Sequence, residues 1–240
     1  MRANVQYPTI EDFAANAVGI NGKIELIWQP LYDFQIYPTA GITALPFFTV
    51  PQGGGFSSAA IAAASPKTAI DSNLTQAGIL PAPQSFWVDG IEVLIEPGGV
   101  ATANLWAPTV PTIFLAAGAA ASNVIATDFE KIATSGLLQF SIMQKIYYQE
   151  GPLHRFPQRS SMRMDNALAS TSATSGSLST TFCRTEGGAV RFDPGYGIAT
   201  TANFAVNLTW PALVTTSAPG SGFNARIGVF LNGWLFRAAQ

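Results

Sequence analysis

The chain has 240 residues, of which 48% are hydrophobic and 11% charged, and its formal net charge is −2. Soluble domains carry about a quarter charged residues, so the composition excludes a disordered chain and offers no overall electrostatic attraction for nucleic acid. A single cysteine, Cys183, and a single histidine, His154, exclude an intramolecular disulfide framework and multi-histidine or cysteine-rich metal centres.

Residues 1–22 hold Arg2 as their only basic side chain and read as an N-terminal arm. Within it, Thr9 to Asp12 suggests the start of a short helix with Ile10, Phe13, Ala14 and Ala17 on one face. Residues 23–240 read as one β-sandwich domain. Ile24, Leu26 and Trp28 alternate with Glu25 and Ile27, which is strand periodicity. Pro30 resets the phase, and Tyr32, Phe34 and Ile36 alternate with Asp33, Gln35 and Tyr37. A weaker strand signal lies at Phe47–Val50, and the Gly/Ser/Ala stretch Gly53–Ser65 reads as a surface loop. Ser65-Pro66 suits a single helical turn.

Beyond Gly90, Ile91, Val93 and Ile95 alternate with Glu92, Leu94 and Glu96, which places the glutamates on an exposed face. Ile113–Leu115 is another weak strand. Val110 to Ala126 is the best membrane window, but Pro111, Gly118, Ser122, Asn123 and many alanines leave it short of a spanning helix. Thr127-Asp128-Phe129-Glu130 fits a capping box and Gly136 a helix stop, which predicts two helical turns directly before a strand at Leu137. Leu138, Phe140, Ile142, Ile146 and Tyr148 then mark one face of a long strand or a bent pair. The Ser/Thr stretch Ala167–Thr181 reads as a loop, and Val190 and Phe192 begin a further strand. From Asn203 to Trp210 every even position is large and apolar. Ile227, Val229 and Leu231 lead to Asn232-Gly233, a pair that favours a hairpin turn or marks a bulge within one long strand.

About eight strands over 240 residues leave room for long crossings. That spacing favours an all-β jelly-roll sandwich, single rather than compact double, with one or two short helices.

Phe34–Pro66, Pro97–Thr127 and Pro194–Ala225 contain no Asp, Glu, Lys or Arg. Surfaces without charge are normally covered, and other copies of the chain suit this one better than lipid. The loops Gly41–Pro66, Gly98–Ala126 and Ala212–Phe223 are the expected contacts.

Three segments carry a resemblance: Asp71 to Phe86 running into the strand Val88–Ile95, Lys145 to Leu153, and the closing Arg226 to Arg237. In style and order they resemble jelly-roll major capsid proteins of tailless icosahedral bacterial viruses. The resemblance implies a structural coat protein of the virion, with no chemistry of its own. Its partners would be other copies in trimers or pentamers, other virion proteins, and nucleic acid or an internal membrane. Many such proteins carry a basic arm, which residues 1–22 lack.

The densest cationic segment runs from His154 to Arg163 and supplies His154, Arg155, Arg159 and Arg163 as candidates for a subunit or genome contact. No nucleophile and orienting carboxylate accompany His154 in a recognisable motif, so no catalytic residue is expected, nor any cofactor or metal. Trp28 and Trp210 fall on apolar strand faces and read as core. The alternative reading is a carbohydrate- or receptor-binding sandwich, which would expose aromatic side chains on one face.

Overall fold

The computed structural model describes residues 24–56, 66–101, 128–156, 161–167, 178–184, 188–216 and 223–238. Strands dominate them: β1 (Ile24–Trp28), β2 (Leu31–Tyr37), β3 (Ala44–Phe47), β4 (Ser85–Ala101), β5 (Leu137–Ile142), β6 (Lys145–Glu150), β7 (Ser161–Ala167), β8 (Leu178–Arg184), β9 (Val190–Ile198), β10 (Phe204–Thr209) and β11 (Phe223–Ala238). One α-helix, α1, covers residues 128–135 and leads through Gly136 into β5, as the capping pattern predicts. Thr127 itself and the expected helix near Thr9 lie outside the described residues, as does the weak strand at Ile113–Leu115.

The long strand β11 organises the first sheet. Along one edge it pairs antiparallel with β4 from Phe223 to Phe236. Its other edge carries β2 beside Ala225–Leu231 and β1 beside Trp234–Ala238. β1 and β2 are thus one line interrupted at Gln29-Pro30, where proline has no N–H to give to the ladder. β9 completes this sheet beyond β4, and a second sheet has the order β3-β10-β5-β6. β7 and β8 form a separate hairpin, so the Ser/Thr segment read as loop from Ala167 to Thr181 ends in strand from Leu178 onward.

Alternation puts the core between the two main sheets. Val88, Ile91, Val93, Ile95, Ile227, Val229 and Leu231 from the first meet Leu45, Phe47, Leu138, Phe140, Val206 and Leu208 from the second in one buried cluster. Each such side chain contributes about 1.5–3 kcal/mol by leaving water. Helix α1 closes one end through Ile132 and Ala133, and the buried Trp210 indole donates to the Ile132 carbonyl at 3.0 Å. That carbonyl belongs to the last turn of the helix, where intrahelical donors run out.

Several details differ from expectation for identifiable reasons. Met143 and Gln144 both adopt positive φ (49° and 66°) and turn β5 into β6. A tight hairpin of this shape usually takes Asn-Gly, so the turn has no sequence signal. A bulge then pairs Phe140 with Tyr148 but Ser141 with Ile146, and Ile146 faces outward. Asn232-Gly233 lies inside β11 at a register shift, so the pair marks a bulge. Near Pro66 the backbone turn begins at Thr68, whose carbonyl accepts from the Asp71 and Ser72 amides.

Candidate functional site

The outer face of the first sheet holds the most distinctive group of side chains. At the bulge, Val88 pairs with Gly233 and Gly90 with Asn232, leaving Asp89 as the extra residue. On its other edge β4 skips from Tyr196 to Arg191, so residues 192–195 of β9 loop out opposite the same point. Bulges redirect side chains, and here the indole N–H groups of Trp87 and Trp234 both donate to the Asp89 carboxylate. Burial pushes that carboxyl above its ordinary pKa, against the effect of the two indoles. Glycine is required here, because a Cβ on Gly233 would stand 1.8 Å from the Trp87 carbonyl oxygen and one on Gly195 2.5 Å from the Trp87 indole nitrogen.

Trp28 packs edge-on to Trp234, with ring centroids 5.0 Å apart, and stays 56% exposed. This corrects its expected place in the core: the inward residue of β1 is Ile27, while Ile24, Leu26 and Trp28 form an exposed apolar stripe. Trp210 is buried as expected. Glu92, expected on an exposed face, is buried and accepts from the Asn232 side chain at 2.7 Å. Glu96 lies 3.8 Å from Arg226, and burial raises its pKa despite that cation. Arg226 also stacks 3.7 Å over Phe34 and pairs with Asp71 at 2.9 Å, which fastens the loop after β3 over the sheet.

Beneath the same loop lies a fully buried ion pair. Lys67 Nζ stands 2.6 Å from Asp33 Oδ1, and neither side chain has any exposed surface. The Phe48 amide donates to Asp33 Oδ2 at 2.8 Å and the Gln35 side chain at 3.3 Å, and Ser72 adds a further hydrogen bond. Burial raises the Asp33 pKa and lowers that of Lys67, in each case against the attraction of the partner.

At the opposite edge, aromatic rings link β6 to β9: Tyr148 lies 4.8 Å from Phe192, and Tyr147 lies 5.5 Å from Tyr196. The cationic segment is only partly described. His154 and Arg155 are the exposed residues of the 3₁₀ turn Leu153–Arg155, whose Leu153 is buried, and Arg155 pairs with Glu150 at 2.6 Å. Arg159 lies outside the described residues, and Arg163 is placed by its backbone alone, opposite Phe182 in the β7–β8 hairpin. The structure does not bring the four together as a described cluster. Among the described residues, no three His, Cys, Asp or Glu side chains form a metal-binding group.

Sequence reasoning missed both polar clusters. Asp89 beside two tryptophans gives no periodic signal, because the bulge breaks the alternation. Lys67 carries a weak one: it is the only Lys or Arg between Lys23 and Lys131. No family model, curated protein or solved structure matches the chain.

Proposed function

We propose that the chain is a jelly-roll coat protein that assembles with copies of itself into a closed virion shell. The strand order carries this reading. With β2, β3, β4, β5, β6, β9, β10 and β11 counted in succession, the first sheet holds the first, eighth, third and sixth, and the second holds the second, seventh, fourth and fifth. Two Greek keys wrapped on one another produce that order, and viral coats and lectins are among its users. A fold alone does not assign function. The exposed, uncharged residues of the loops after β3 and β10 favour the coat, since they suit burial between subunits, while the strand residues of the same charge-free stretches fill the subunit's own core. Heterologous contacts between copies close into rings of trimers or pentamers and then a shell, with His154, Arg155, Arg159 and Arg163 at a subunit or genome contact. Electron microscopy of the purified chain tests this: closed particles support it, and uniform single subunits at high concentration contradict it.

A second reading has one specific observation in its favour. Trp28 presents an exposed ring on a rigid sheet beside Trp234 and the fixed Asp89 carboxylate, as a carbohydrate-binding platform would. Titration with an immobilised glycan panel separates the two readings.

A further inference from the structure

We infer that Lys67 and Asp33 become joined by an amide bond between Lys67 Nζ and Asp33 Cγ, so that the mature chain carries an internal covalent cross-link. The geometry is that of reactants held in contact. Nζ and Oδ1 are 2.6 Å apart, with both side chains sealed from solvent. Well-oriented intramolecular groups react as though present at roughly 10⁵–10⁸ M, and no bulk water stands by to reverse the step.

The surroundings supply what the reaction needs. In the ion pair the ammonium passes one proton to Oδ1, which gives a neutral amine facing a carboxylic acid. Burial favours these neutral forms on both sides. The Nζ lone pair attacks Cγ, negative charge develops on Oδ2, and the Phe48 amide and the Gln35 side chain already donate to that oxygen. The bond from Cγ to Oδ1 breaks, and Oδ1 leaves as water with the proton it received and one more from Nζ. Nothing is oxidised or reduced, and no co-reactant is required.

The position gives the bond a purpose. An isolated buried ion pair is weak evidence for stability, because desolvation offsets the attraction. As an amide, the same pair would tie β2 to the loop after β3, and the closed segment is the charge-free stretch Phe34–Pro66. A cross-link there removes loop entropy from the unfolded chain, which suits a subunit that must not open.

The test is the mass of the intact purified chain in denaturant, followed by chymotryptic mapping. The inference predicts a mass lower than the sequence by one water, with the Asp33 and Lys67 peptides recovered as a linked pair, and restoration of the full mass in Lys67→Arg. Asp89-Gly90 can also lose water by cyclising on its own backbone, so mapping is part of the measurement. Full mass in the wild-type chain overturns the inference. So does a loss of water with the Asp33 and Lys67 peptides unlinked.

Discussion

Asp33 and Lys67 are the two charged residues that bracket the first charge-free stretch, and they meet each other in the interior at 2.6 Å. The segment between them therefore begins and ends at one buried point. On the outer side of the same sheet Arg226 gathers Asp71 and Glu96, at 2.9 and 3.8 Å.

Trp210 holds helix α1 against the sandwich through its hydrogen bond to Ile132 and its edge contact with Tyr37 at 5.0 Å. Trp210→Ala should cost about 3–5 kcal/mol in urea unfolding. Trp210→Phe keeps most of the volume but strands the Ile132 carbonyl, so a smaller loss of about 1–3 kcal/mol is expected.

Gly233→Ala drives a methyl group into the Trp87 carbonyl, and no flexible side chain can yield there. The expected result is a loss of at least about 3 kcal/mol or failure to fold. Gly188→Ala, with nothing within 4 Å of the added carbon, should stay within about 0.5 kcal/mol of the parent.

Asp89 and Glu96 have folded pKa values raised by burial, so the folded state binds protons where the unfolded state has lost them. Stability should then fall as pH rises from about 4 through the folded values, and level off above them. Glu25, lowered by its hydrogen bond with Arg237, acts in the opposite sense, and Asp33 contributes only while it remains a free acid. Urea midpoints from about pH 4 to 7 should decline less steeply in Asp89→Asn.

The alternating faces of β4, β5, β10 and β11 were legible because each buries one side against the opposite sheet. Trp28 was not, because alternation identifies two faces without saying which is inward. On an edge strand paired only to the end of β11, the inner face is Ile27. Ile146 went astray through a bulge, since one extra residue exchanges the faces beyond it. Long-range pairs such as Asp33 with Lys67 depend on how the loop after β3 folds back, and no local pattern encodes that.

Exposed Trp28 separates stability from association. Trp28→Ala should change unfolding by less than about 1 kcal/mol yet weaken whatever the apolar stripe of β1 meets. Loss of glycan binding with normal self-association would favour the second reading.

Light scattering across a dilution series, at low and high salt, tests the coat-protein account most directly. Permanent subunit contacts bury roughly 2,000 Å² or more, and contacts drawn from charge-free loops are little affected by ionic screening. The account predicts oligomers or closed particles that persist at micromolar concentration and do not dissolve as salt is raised. A stable, soluble monomer at that concentration and low salt would contradict it.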